Sequence, residues 1–261
     1  MTSAASEANV TMKKISVLVM LLLVASQLCA HEVTLFPSLA GPNLFVAARY
    51  GDPGEYEKIA QIKLLTLDAI SPLQHRYSLL KSAAESADSL SLRTLLALPA
   101  DEPEGVWVLA STYDNGFFVH DANGKAHATT LADYPSARDS AHYFKFSKSL
   151  WMRGTRNIGY DRIVGHRLEL VPLSDPFGSS SKDLHLQVLY QGRPLPGAEV
   201  EIGDDRTASR IAPVISDQRG QLCIPLDHTG WYRLAVTHRS PSRYPELFQD
   251  DDITASLIFQ R

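Results

Sequence analysis

Cysteine is almost absent. Cys29 and Cys223 are the only two in 261 residues, and Cys29 falls in a leader expected to be removed. No internal disulfide can then form, so stability must come from packed sheets. A basic excess is also missing: 25 Lys and Arg stand against 29 Asp and Glu, a formal net charge of −4 with both signs scattered. No stripe of cations is available to hold a phosphate backbone, which excludes nucleic acid as an expected partner. Long apolar runs are missing too. The longest extends from Ile15 to about Ala25, roughly half of the ~20 residues a membrane-spanning helix needs, so no transmembrane segment is expected in the mature protein.

Enzyme signatures are equally scarce. "HEVTL" lacks the second histidine of H-E-x-x-H, and there is no G-x-S-x-G, no phosphate-binding glycine loop and no C-x-x-C. The chain is expected not to be an enzyme. Asp204 with Asp205, and the run Asp250 to Asp252, sit in turn-like polar stretches and read as solvated loops.

What is present begins with a secretory signal. Lys13 and Lys14 precede the apolar run, a polar break follows at Ser26 and Gln27, and "LCA" closes the segment. Met12, just ahead of the lysines, fits the true start better than Met1. Ala30 is the small residue wanted before the cut. The alternative, a lipoprotein with Cys29 as the lipidated residue, fits less well because Gln27 and Leu28 are not the small residues expected there. Cleavage after Ala30 removes Lys13, Lys14 and Glu7, leaves the mature chain one unit more negative, and makes His31 its first residue. The expected location is periplasmic or secreted.

At 44% apolar and 21% charged residues the chain is globular and long enough for one large domain or two small ones. From His31 onward its periodicity is that of strands. "EVTLF", "LFVAARY", "IAQIKLLTL", "RYSLL", "RTLLALP" and "GVWVLASTY" are short and rich in apolar and β-branched residues. Clusters of Gly, Pro, Asp and Ser separate them. Asn123 and Gly124 mark a hairpin inside "GFFVHDANGKAHATTL". Only "KSAAESADSLSL" and "YPSARDSA" look capable of a helix. The strand pattern breaks at residues 171–183 in "VPLSDPFGSSSKD". Beyond that come five more strand-like runs, in which Cys223 reads as a small buried hydrophobe. The expectation is an all-β chain of two antiparallel β-sandwich modules, residues 31–172 and 183–261, behind a signal peptide at 1–30.

The order "GHRLELVPLSDP", "LHLQVLYQGRPLPGAEVEI", "SDQRGQLCIPLDHTGWYRLAVTH" and "TASLIFQR", behind a leader ending directly before His, resembles the DUF4198 family. That family is similar to NikM-like periplasmic components associated with nickel and cobalt uptake. The part from Leu184 onward also looks like the transthyretin-like or carboxypeptidase-regulatory-like fold. The shared turn consists of Gly192, Pro194, Leu195, Gly197, Ala198 and Val200. Such a turn speaks to fold rather than function. The resemblance implies a periplasmic role with transition metals and a membrane transport component as partner.

The residues offer a place for a metal. An N-terminal histidine presents its α-amine and a ring nitrogen to one ion, and the amine, with a reference pKa of about 8, yields its proton to a competing metal. A further imidazole would complete a three-nitrogen site suited to Cu(II) or Ni(II). His31 is therefore the first candidate ligand. The second is His238, where the resemblance also places a histidine, and the third is His142, before "YFKFSKSL". His120 and His127 flank the Asn-Gly turn and read as solvated, and His185 is expected to point away from Leu184, Leu186 and Val188. The expected ligand is a nickel, cobalt or copper ion. A non-enzymatic surface module that binds protein or glycan is the second class of function these residues permit.

Overall fold

The structure, a computed structural model, describes residues 31–178, 181–207 and 211–261. The leader, Cys29 and the cut after Ala30 lie outside the described residues. Seven strands come first: β1 (Glu32–Ala40), β2 (Asn43–Asp52), β3 (Glu55–Glu57), β4 (Leu64–Ile70), β5 (Arg76–Ser78), β6 (Ala84–Glu85) and β7 (Leu92–Ala97). Two long strands, β8 (Gly105–His120) and β10 (Asp139–Arg153), flank the short β9 (Ala126–His127). Then come β11 (Leu168–Pro172), β12 (Asp183–Tyr190), β13 (Arg193–Pro194) and β14 (Glu199–Gly203). The chain continues through β15 (Ile211–Ile215), β16 (Gln221–Pro225), β17 (Trp231–Pro241) and β18 (Asp250–Gln260).

The all-β expectation holds. The strands form three sheets stacked as layers. A first outer sheet has the order β1-β2-β7-β6, with β3 beside β2. The central sheet runs β15-β14-β17-β18-β10-β8-β4-β5, with β9 beside β8. A second outer sheet has β12 between β11 and both β13 and β16. All described pairs are antiparallel except β10 with β18. The central sheet thus contains strands from both sides of residues 171–183, and β11 and β12, on either side of that segment, pair with each other.

Side-chain alternation explains the layering. Along β8, Val106 and Val108 enter a core shared with Leu168, Leu184, Leu186 and Ile224 of the second outer sheet. Trp107 and Leu109 enter a separate core with Val33, Leu44 and Val46 of the first. Both faces of the central sheet are covered over this region.

Turn chemistry behaves as the sequence predicts. Gln191 and Gly192 link β12 to β13 with φ of 52° and 73°. Two consecutive positive φ values in a two-residue loop match the right-handed strand twist, and Gly supplies one at no steric cost. At the other hairpin, Gly124 at φ 82° donates its N–H to Asp121 O at 2.9 Å.

Three expectations are corrected. Neither "KSAAESADSLSL" nor "YPSARDSA" forms an α-helix: the first gives one turn of 3-10 helix at Leu80–Ser82 and then the strand β6. Both segments are too short to nucleate a helix, and the Ser86 hydroxyl instead bonds Asp88 and the Ser91 carbonyl, the local competition typical of such residues. Cys223 is exposed rather than buried, because Leu222 and Ile224 take the inward positions of β16. Asp250 to Asp252 are not a solvated loop but the start of β18.

Candidate functional site

A cavity of about 910 Å³ lies against the face of the central sheet that also meets the first outer sheet. That volume is within the range of small-molecule sites. His31, Tyr50 and Glu57 form one wall, and Tyr143, Lys145, Asp252 and Thr254 come from β10 and β18 on the floor. The parallel register sets Tyr143 beside Asp252 and Lys145 beside Thr254, so Lys145 and Asp252 are diagonal neighbours on one face.

Lys145 is 3% exposed. Its Nζ donates to Thr254 Oγ1 at 3.1 Å and lies 5.6 Å from the centre of the Tyr143 ring. Among the described residues no carboxylate comes within ion-pair distance of it. Burial pulls its pKa down to about 8, against a weaker opposing pull from Asp252, Glu32 and Asp52. Asp252 is raised by burial, with Lys145 and Arg239 opposing, and its Oδ1 is buried with no hydrogen-bond partner. The neighbouring arginines are engaged: Arg233 with Glu32 and Glu201, Arg239 with Asp250, and Arg138 with Asp139.

At the wall, the His31 ring sits between two carboxylates. Its Nδ1 is 3.6 Å from Glu57 Oε1 and its Nε2 3.8 Å from Asp52 Oδ2. The ring meets Tyr50 edge-on at 5.6 Å. Burial and the neighbouring Tyr113 push Tyr50 up to about 12, so its phenol keeps its proton at neutral pH.

The three candidate metal-ligating histidines do not lie on one side. His142 and His238 project from the opposite face of the central sheet, as the register with Asp251 and Ile253 requires. His142 is packed among Phe117, Phe144 and Phe248, with Nε2 2.8 Å from Asp114 Oδ1. His238 packs on Tyr190 of the second outer sheet at 4.3 Å between ring centres, and burial lowers its pKa. β18 separates these two strands. His120 and His127 each hold a carboxylate, Asp139 and Asp121 respectively. Among the described residues, no three His, Cys, Asp or Glu side chains are gathered so as to hold a metal ion.

Sequence reasoning did not single out Asp52, Glu57 or Lys145, and it read Asp252 as part of a solvated loop. A faint signal exists in "YFKFSKSL", where a lysine alternates with aromatics on a strand long enough to be central.

A family model described as a domain of unknown function, DUF4198, matches residues 28–240. The chain belongs to the DUF4198 family. That match takes in His31, both carboxylates beside it, Lys145, His142 and His238, and leaves β18 with Asp252 outside. No curated protein matches this family member. Among solved structures it overlays on dimeric latent PorU from Porphyromonas gingivalis with TM-score 0.23 and 14% identity, over 88% of this chain and 20% of that one. The chain therefore spans a fifth of the PorU chain. It overlays on the D0-D1 domain of Intimin with TM-score 0.20 and 8% identity, over 88% and 98% of the two chains. No helix among the described residues is long and apolar enough to cross a membrane.

Proposed function

We propose that this DUF4198 member is an exported, periplasmic metal-binding protein that supports uptake or handling of nickel, cobalt or copper, with its site at His31. The observation that carries this reading is the placement of Glu57 and Asp52 on the two different nitrogens of the His31 ring. One metal cannot take both nitrogens. After cleavage behind Ala30, the α-amine and Nδ1 of His31 close a six-membered chelate, and the Glu57 carboxylate stands beside Nδ1 as third donor. Asp52 is then left to accept the Nε2 proton, the outer carboxylate that orients a metal-bound imidazole. The amine accounts for a site that side chains alone do not complete. Nitrogen donors with one carboxylate suit Ni(II), Co(II) and Cu(II) over alkaline-earth ions.

Calorimetric titration of Ni(II), Co(II) and Cu(II) into a mature chain beginning at His31 tests the reading. One extra residue ahead of His31, or His31→Ala, is expected to weaken binding about ten-fold or more, and Asp52→Asn by about 10- to 100-fold. Equal affinity in the extended and authentic chains would refute it.

A further inference from the structure

We propose that the cavity floor is a binding site for a small organic monoanion, a carboxylate with a hydroxyl on the adjacent carbon, held between Lys145 and Asp252. Two side chains of opposite charge, neither in an ion pair among the described residues, line one cavity. Lys145 Nζ carries three donors, of which Thr254 Oγ1 takes one. Asp252 Oδ1 is a buried acceptor with none of its capacity used. Buried polar groups are as a rule paired, and of the eight described side chains with an unpartnered buried atom only Asp252 lines this cavity, so such a complementary couple points to a ligand that supplies both an acceptor and a donor. Their diagonal placement on β10 and β18 lets one small molecule reach both.

Charge sets the class. Arg138, Arg233 and Arg239 each already face a carboxylate, so Lys145 is the one lining lysine or arginine among the described residues without an ion pair. Glu57, Glu199 and Glu201 also line the cavity. One unmatched cation amid these carboxylates fits a single negative charge better than a phosphate dianion. A ligand carboxylate takes the free Nζ protons, and its neighbouring hydroxyl donates to the Asp252 carboxylate. This inference does not depend on a metal at His31, and the experiment is run in chelator so that the two stand or fall separately.

The probes are lactate, propionate, which lacks only the hydroxyl, and inorganic phosphate, titrated into the full mature chain. Lactate is expected to bind about ten-fold more tightly than propionate, the weight of one charge-assisted hydrogen bond, and more tightly than phosphate. Asp252→Ala is expected to bring the lactate-to-propionate ratio close to one, and Lys145→Met to weaken both acids about ten-fold or more. Removing an unpaired buried charge does not unfold a protein, so Lys145→Met should melt no lower than wild type. A second measurement needs no variant: lactate should slow reductive methylation of Lys145, read by peptide mass, and leave exposed Lys81 unaffected. Lactate binding that is absent, no tighter than that of phosphate, or unchanged in Lys145→Met would overturn the proposal, as would methylation of Lys145 indifferent to lactate.

Discussion

Replacing Glu169 with alanine is expected to cost about 3–5 kcal/mol of unfolding free energy, because it strands a lysine inside the protein. Lys148 and Glu169 are each 1% exposed and 2.5 Å apart. The lysine comes from β10 of the central sheet and the glutamate from β11 of the second outer sheet, so the pair joins two layers. Lys148 Nζ also donates to the carbonyls of Arg162 and Leu170 at 2.9 and 3.0 Å. Glu169 accepts the N–H groups of Val164, Gly165 and His166. Burial raises the Glu169 pKa, but Lys148 and these N–H groups outweigh it and hold the carboxyl below the ordinary range. A depressed carboxylate contributes stability that is present above its unfolded pKa and lost as pH falls through the folded one.

In Glu169→Ala the two carbonyls remain on Lys148 but no charge opposes it, and its escape is to lose the proton. The penalty should therefore shrink at alkaline pH. Guanidinium unfolding followed by circular dichroism, at neutral pH and again near pH 10, measures both effects. In a chain of this size, each kcal/mol moves the melting temperature by about 2–4 °C, so a fall of roughly 10 °C is expected at neutral pH. Adding Lys148→Met should recover about 2 kcal/mol, with the lost loop hydrogen bonds accounting for the remaining deficit. A loss below about 1 kcal/mol, or a double variant no more stable than the single one, would refute the view that the buried charges depend on each other.

Lys145, with its pKa lowered from 10.5 to about 8, binds fewer protons folded than unfolded between those values. Wild-type stability should rise by about 1–3 kcal/mol across that window, and Lys145→Met should abolish the rise. A slope shared by both proteins would point to another group. Cys223 is exposed, with its thiol pushed up by partial burial and by Asp183. Ellman's reagent should label it in the native state, more slowly than free cysteine at the same pH, and labelling only after denaturation would contradict its placement.

Much of the fold was legible because local pattern and local structure agree. Alternation located β1, β2, β7, β8, β12, β16 and β17, and the glycines of the Asn-Gly and Gln-Gly pairs turn the chain at positive φ. The layering was not legible, because a strand with one solvated face and a strand between two cores can share the same alternation. In β10, Phe144, Phe146 and Leu150 face one way, and Lys145, Ser147 and Ser149 would be read as facing water. Instead the first outer sheet lies over them, and Ser147 bonds Ser256, which in turn donates to the Val33 carbonyl. The parallel pairing of β10 with β18 joins residues 109 apart in sequence, as in the contact of Lys145 with Thr254, and no short-range signal announces it. The cavity depends on that pairing. His31 stood out in the sequence as a candidate ligand, but the carboxylates beside it, twenty or more positions away on β2 and β3, did not.

The position of β18 has a consequence for how the chain is made. It is the last described strand in sequence, yet it sits between β10 and β17 in the middle of the central sheet. Until it is in place, β10 and β17 have no bridge between them, and the core shared with the second outer sheet lacks Ile253, Ala255, Leu257 and Phe259. Assembly of the central sheet therefore rests on contacts far apart in sequence, which makes folding slow. A chain truncated ahead of β18 should leave two unpaired strand edges exposed to aggregation.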